Sequence, residues 1–162
     1  MEFVFNQVAV EVMGYSAVNK KIENIGCCGE RRKSHTAIIS ISGANKQGHP
    51  PKGAGHILKL AFDRGEATPY DSCSVINYAR CTKPGDKIWI HSNKGQHRGP
   101  AAAIVFAAAV GVNWKEAVET VVNSSVKVYP DLSLLRGADQ LLGTKMARYS
   151  SRMVQRRDGK KS

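Results

Sequence analysis

A polar loop lies between two apolar segments in residues 88–100, which read IWIHSNKGQHRGP. The apolar residues before the loop predict a buried strand. Residues 100–112 are apolar apart from one glycine, and a run of this kind predicts a helix that is packed on every side. Its 13 residues are too few to cross a membrane, which takes about 20. A buried strand therefore leads into a loop that ends at the N-terminus of a buried helix.

The residue types in this loop are those of an anion-binding turn. Backbone N–H groups at a helix N-terminus can point at an anion, and the helix dipole adds positive potential there. Gly95 gives the conformational freedom that a tight turn needs, and the planar guanidinium of Arg98 can hold two phosphate oxygens. The segment therefore predicts a phosphate site formed by Ser92, Asn93, Lys94, Gly95, Gln96, His97 and Arg98.

The rest of the chain alternates between strand-like and helix-like patterns. Strands are predicted near residues 3–13, 36–41, 56–62 and 87–91. Helices are predicted near residues 71–82 and 100–110, from Asn113 onwards, and from Asp131 toward Arg148 or beyond. Alternation of this kind predicts an α/β domain, with a sheet covered by helices.

Positive charge is the second unusual feature. The chain has 24 Lys and Arg residues against 13 Asp and Glu residues, which gives a net charge of +11. Seven of the basic residues fall in residues 145–162, where Asp158 is the only acid. Such an excess favours polyanionic partners. We predict weak binding of nucleic acid or another polyanion through this basic C-terminus, with an ordinary solvated tail as the alternative.

The cysteines and the N-terminus bear on the cellular compartment. Cys27, Cys28, Cys73 and Cys81 form neither a CxxC pair nor a zinc-binding spacing, so we interpret them as reduced thiols. The N-terminus has no basic stretch followed by an apolar one, so no secretory signal is predicted. No membrane span is predicted either, and we expect the protein in the cytoplasm.

The loop resembles the signature of the cysteine-dependent protein tyrosine and dual-specificity phosphatases, His-Cys-x-x-Gly-x-x-Arg. His91, Gly95 and Arg98 match it position by position. The short chain is similar to the compact phage and bacterial branch, and the resemblance covers about residues 36–143. It implies a compact dual-specificity phosphatase fold with a central, mostly parallel sheet flanked by helices. We predict a phosphatase-like domain in residues 1–150 followed by a basic tail in residues 151–162. The resemblance implies no metal and no organic cofactor.

Two positions depart from the family pattern. Ser92 stands where the family has its nucleophilic cysteine, and a hydroxyl is not ionised near neutral pH as an activated thiol is. We therefore expect a chain that binds phosphate with little turnover. Either a catalytic cysteine was replaced on purpose to trap substrate, which we favour, or the chain is a natural pseudophosphatase. Gly99 stands where the family usually has a Ser or Thr. The hydroxyl of that residue helps to stabilise the thiolate as it leaves the phosphocysteine intermediate.

The resemblance also implies a general acid and a class of substrate. The family uses an aspartate on a loop after a strand, and Asp63 lies 29 positions before Ser92, at the end of a predicted strand. Glu66 and Asp71 are the alternatives. The favoured substrates are proteins carrying phosphotyrosine, phosphoserine or phosphothreonine. Polyphosphorylated small molecules and RNA 5′ ends are alternatives, because Lys94 and His97 add basic groups to the loop.

Overall fold

Five strands form one sheet in the computed structural model, which describes residues 1–17, 36–44 and 56–160. The strands are β1 Glu2–Phe5, β2 Val8–Gly14, β3 Thr36–Ser42, β4 Ile57–Ala61 and β5 Lys87–Ser92. Their order across the sheet is β1-β2-β5-β3-β4. Only the pairing of β1 with β2 is antiparallel within this sheet. The predicted α/β fold with a mostly parallel sheet is confirmed.

Five helices lie wholly within the described part of the chain. They are α1 Pro69–Arg80, α2 Arg98–Ala109, α3 Trp114–Asn123, α4 Leu132–Leu142 and α5 Met146–Gly159. Local sequence explains where three of them begin. Thr68 and Asp71 form a reciprocal capping box on α1, and the side chains of Asn113 and Asp131 cap α3 and α4.

The predicted single helix from Asp131 toward Arg148 is wrong, because two helices occupy this stretch. Gly143 ends α4 in the left-handed conformation, at φ 66° and ψ 32°, which glycine adopts at little cost. The carboxylate of Asp139 then accepts hydrogen bonds from the amides of Met146 and Ala147, at 2.6 and 3.0 Å. A carboxylate at these orphan amides starts α5 in a new direction.

The register of the central strands places one apolar face of the sheet against the helices. Val10 pairs with Ile88, and Val12 pairs with Ile90, so these side chains share a face. All four are buried in one core with the apolar residues of α2, which contacts both β2 and β5. The strand β5 therefore lies in the middle of the sheet, and its carboxyl end leads into the loop before α2.

The basic C-terminal region is helical as far as Gly159. The helix α5 runs across positions 150 and 151, where the sequence analysis divides domain from tail, and that division stays a prediction. Arg157 donates hydrogen bonds to the carbonyls of Val122, Ser125 and Val128, at 2.9 to 3.1 Å. Arg157 therefore joins α5 to the end of α3 and to the segment that follows it.

The structure also bears on the predicted reduced thiols and on the predicted absence of a membrane span. Cys73 and Cys81 are free, whereas Cys27 and Cys28 lie outside the described residues. Among the helices in the described ranges, none combines the length and the apolarity that a bilayer crossing requires.

Candidate phosphate-binding site

The candidate site begins where β5 ends, between β2 and β3. Ser92 is the last residue of β5, lies opposite Gly14 and Ile41, and is only 2% exposed. Alternation along the strand puts its side chain on the face covered by helices, and puts the side chain of His91 on the other face. The predicted orientation of His91 away from the loop is therefore confirmed by the register.

Three carbonyl groups of the loop accept hydrogen bonds from segments outside it. The bonds run from Tyr15 N–H to Asn93 at 3.4 Å, from Tyr129 N–H to Gln96 at 3.0 Å, and from Asp131 N–H to His97 at 3.2 Å. In contrast, the six amides of residues 93–98 donate no hydrogen bond to an acceptor within the described ranges. Unpaired amides at a helix N-terminus are suited to hold an anion.

Gly95 allows the loop to turn tightly against the end of β2. Its φ is +66°, a value that favours glycine, and an added Cβ would lie 2.9 Å from the carbonyl carbon of Met13. The neighbouring Gly14 also lies close to the loop, where its Cβ would be 3.4 Å from the carbonyl oxygen of Asn93. Glycine at position 95 is thus required by both backbone conformation and packing.

The side chain at the nucleophile position faces the start of α2. The amide of Gly99, in the first turn of this helix, donates to the Oγ of Ser92 at 3.3 Å. A Cβ at position 99 would lie 2.8 Å from Cγ1 of Val12 and 3.3 Å from the same Oγ. The absence of the family's hydroxyl at Gly99 therefore matches a lack of space beside Val12.

Arg98 and Asp63 lie on the same side of this loop. The Arg98 guanidinium donates to the carbonyl of Phe62 at 2.7 Å, which fixes the arginine beside the residue that precedes Asp63. A Cβ added to Gly43 would lie 2.7 Å from Oδ1 of Asp63 and 3.9 Å from Nη1 of Arg98. Both charged groups thus approach the backbone of Gly43, and Asp63 is exposed to solvent.

The segment that carries Asp63, residues 63–67, will be called the acid loop. Its amides at Gly65 and Ala67 donate to the carboxylate of Asp131 and to the hydroxyl of Ser133, at 2.8 and 2.9 Å. Asp131 is 2% exposed and also caps α4 through the amides of Ser133 and Leu134. The N-terminus of α4 therefore holds the acid loop next to residues 92–98, which will be called the phosphate loop.

The remaining predicted side chains, those of Lys94, His97, Asp71 and Glu66, differ in exposure and in hydrogen bonding. Lys94 is exposed, and the Nδ1 of His97 donates to the carbonyl of Tyr129 at 2.8 Å, since a carbonyl only accepts. Of the alternative acids, Asp71 accepts both hydrogen bonds of Thr68 in the α1 capping box. Glu66 is exposed in the acid loop.

His91, one residue before Ser92 on β5, is buried. Its ring is 2% exposed, lies 5.8 Å from the ring of Tyr15, and has no hydrogen-bond partner for either nitrogen in the described residues. Burial lowers the pKa of His91 from 6.5 to about 4, because the charged form would lose its hydration. The imidazole is therefore neutral at pH 7.

Sequence reasoning did not identify the roles of Asp131 and Ser133 in the site. An N-cap at Asp131 is apparent from the residue type before an apolar run, and it was predicted as a helix start. Its contact with Gly65 joins positions 66 residues apart, and a single sequence has no signal for such a pair.

Comparison with known proteins supports the fold. No protein-family model matches the chain, and no curated protein matches its sequence significantly. Solved structures are similar despite low identity. The structure of DUSP15 has a TM-score of 0.59 at 17% identity, covering 96% of this chain and 94% of that one. The structure of PTPMT1 in complex with PI(5)P has a TM-score of 0.61 at 12% identity, covering 94% of this chain and 98% of that one.

A third structure is the human tyrosine phosphatase-like serine/threonine/tyrosine-interacting protein. It has a TM-score of 0.61 at 16% identity, over 88% of this chain and 95% of that one. The similarity extends over nearly the whole length of each of these three solved structures. The chain thus has the fold of the dual-specificity and protein tyrosine phosphatases, the superfamily that its loop resembles.

Proposed function

We propose that residues 92–98 bind the phosphate group of a phosphate monoester, and that the site is built for its hydrolysis. The observation that carries the proposal is the direction of the Gly99 amide toward Ser92 Oγ, at the head of a helix and beside Arg98. The unpaired amides of residues 93–98 supply further donors. Donors in this arrangement favour an anionic nucleophile and a dianionic substrate together.

With a cysteine at position 92, the reaction would take two steps. The thiolate attacks phosphorus and forms a cysteinyl phosphate, while Asp63 protonates the oxygen that leaves as an alcohol or phenol. Asp63, now a carboxylate, then takes a proton from water, which attacks the same phosphorus and releases phosphate and the thiolate. Arg98 and the loop amides hold the non-bridging oxygens in both steps.

With Ser92, the first step lacks a competent nucleophile. The hydroxyl would need a general base, and His91 is on the other face of the sheet, with a pKa of about 4. The present chain is therefore a phosphate binder with little turnover. A replaced catalytic cysteine remains the favoured origin of Ser92. A natural binding module is the second candidate, and the similarity to a protein named as phosphatase-like and interacting supports it.

The favoured ligands are proteins carrying phosphotyrosine, phosphoserine or phosphothreonine, in the cytoplasm. Lys94 and the acid-loop residues Asp63 and Glu66 are exposed, and such groups can contact a large substrate. Polyphosphorylated small molecules and RNA 5′ ends are the alternatives. The similarity to a structure bound to PI(5)P supports a phosphoinositide among them. Polyanion binding by the basic C-terminus is a separate prediction.

The substitution Ser92→Cys tests the proposal. We expect it to create hydrolysis of an aryl phosphate with a slightly acidic optimum, because the thiolate must coexist with a protonated Asp63. The matched control is Ser92→Ala, which should still bind phosphate and hydrolyse nothing. A Cys variant that folds, but shows neither phosphate release nor a burst of leaving group on aryl phosphates, phosphopeptides and phosphoinositides, would contradict the enzyme proposal.

The role of Asp63 is tested in the same Cys variant. Asp63→Asn should slow an alkyl phosphate or a phosphoserine peptide by about 10²-fold or more, and an activated aryl phosphate much less. Only the poor leaving group needs a proton in the transition state. Glu66→Gln is the matched control on the same loop and should leave both rates unchanged. Equal losses on both substrates in the Asp63 variant would remove it from the acid role.

A further inference from the structure

A groove of about 420 Å³ runs between α4 and α5, away from the phosphate loop residues. Four basic residues line it: Arg136 on α4, Lys145 at the start of α5, and Arg148 and Arg152 on α5. All four are exposed. The spacing of Lys145, Arg148 and Arg152 is that of neighbours on one side of a helix. The four cations therefore converge on one concavity instead of scattering over the surface.

These four charges are not neutralised by the protein. None of them forms an ion pair within 4.0 Å with a carboxylate in the described ranges. The groove also contains one acid, Asp139, whose carboxylate accepts hydrogen bonds from the hydroxyl of Thr144 and from the amides that start α5. With four cations and one anion, the groove keeps an excess of positive charge. Four like charges in one groove repel one another, and an anionic ligand would relieve that repulsion.

We propose that this groove binds a single strand of nucleic acid by its sugar–phosphate backbone. Arg152 lies seven positions after Lys145, which is about 10 Å along the helix at about 1.5 Å per residue. A nucleic-acid strand carries one charge per nucleotide, so a row of cations of this length can contact more than one phosphate. A single phosphate group would leave most of the row unused. None of the described residues that line the groove is aromatic, so we expect contacts to phosphates alone, which do not distinguish one base sequence from another.

The surface is poorly suited to a lipid bilayer. Its two apolar lining residues are Leu132, which is half-buried, and Ala147, which is buried. An amphipathic helix that lies on a membrane combines basic residues with large apolar side chains that insert below the headgroups. A concave surface without such anchors fits a strand better. Arg157 takes no part, because its guanidinium is bound to backbone carbonyls and lies over the ring of Tyr129.

The test uses the full chain and a short oligouridylate with a 5′ hydroxyl and a 3′ fluorophore. It lacks a terminal phosphate monoester, so the loop at residues 92–98 has no substrate group to bind. Fluorescence anisotropy at several salt concentrations compares the parent protein with Arg148→Ala/Arg152→Ala. The control is Arg80→Ala/Lys83→Ala, which removes two exposed charges from the end of α1 and the turn after it. Circular dichroism establishes that each variant is folded.

We expect the groove variant to bind at least about tenfold more weakly at low salt. The slope of log K against log salt should fall in magnitude by about 1.4, since each lost contact to a single strand removes about 0.7. The control should keep the parent affinity. Parent-like affinity in the groove variant, or an equal loss in the control, would overturn the proposal. Binding to phosphatidylserine vesicles without binding to the oligonucleotide would also overturn it.

The proposal does not depend on phosphatase activity, because no groove residue belongs to the phosphate loop or the acid loop. Binding of tungstate at Arg98 should be the same in the groove variant and the parent. The two proposals can therefore fail separately.

Discussion

The buried carboxylate of Asp131 accepts a hydrogen bond at 2.8 Å from the amide of Gly65, 66 residues earlier in the chain. The amide of the same aspartate donates to the carbonyl of His97 at 3.2 Å. One residue therefore joins the acid loop to the phosphate loop. This connection limits where the carboxylate of Asp63 can lie relative to the guanidinium of Arg98.

Asp131→Asn should disturb the acid loop while leaving the phosphate loop able to bind. An amide side chain that keeps its oxygen on Ser133 and Leu134 turns its NH₂ toward the Gly65 amide, which then loses its acceptor. In the Ser92→Cys protein, we expect about tenfold slower turnover of a phosphoserine peptide, with a much smaller change for an activated aryl phosphate. Steady-state kinetics on the two substrates measure the difference.

The control for this prediction is the anion affinity of the Ser92 protein. Asp131→Asn should change the Kd for tungstate by less than about twofold, because the loop amides and Arg98 are untouched. A large loss of anion binding, or equal slowing of the two substrates, would mean that Asp131 supports the fold of the whole site and does not position the acid.

The contact between Gly99 and Val12 gives a stability prediction. Gly99→Ala should destabilise the protein by about 1–3 kcal/mol, because the new Cβ would meet a valine methyl at 2.8 Å. The sign is informative, since alanine in a helix interior is normally better than glycine by about 1 kcal/mol. Gly159→Ala, at a helical site with open space around the Cβ, is the matched control and should not destabilise.

Adding Val12→Ala should offset part of the loss in unfolding free energy that Gly99→Ala causes. Urea unfolding of the two single variants and the double variant gives a coupling energy, which we expect to be at least about 0.5 kcal/mol in the favourable direction. Additive losses would show that the two side chains do not compete for one space.

The central part of this fold was predictable because it is encoded locally. The apolar run after Pro100, the glycine at position 95 and the arginine at position 98 lie within one short segment, and each has a physical reason to be there. The strand, the loop and the helix follow from hydrophobic pattern and turn chemistry alone. The sheet order is a tertiary property, and for it the resemblance was needed.

The parts that were not predicted depend on contacts between distant segments or on a single backbone angle. The break at Gly143 requires a positive φ, and the sequence shows only a glycine that a long helix could also contain. The lack of space at Gly99 depends on Val12 in another element. The pairing of Asp131 with Gly65 likewise exists only once the chain has folded.

His91 predicts an acid-dependent loss of stability. Burial lowers its pKa from 6.5 to about 4, so the unfolded chain binds a proton between these values that the native protein does not. Stability should therefore decrease as the pH falls from about 6.5 toward 4, by up to about 3 kcal/mol from this group. Chemical denaturation at pH 7 and pH 4.5 compares the parent protein with His91→Phe.

The phenylalanine variant removes the titrating group and keeps an aromatic ring beside Tyr15. We expect its stability to decline less than that of the parent over the same pH interval. Identical declines would show that His91 is hydrated or paired in the native protein, so that its protonation has no excess cost.

Calorimetric titration of the unmodified Ser92 protein with phosphate or tungstate tests whether residues 92–98 form a phosphate site. We expect one anion per chain, with binding lost in Arg98→Ala and retained more weakly in Arg98→Lys, which keeps the charge without the planar fork. Circular dichroism should show both variants folded. Binding by the parent that is unchanged in a folded Arg98→Ala variant, or no binding by the parent at all, would contradict the account.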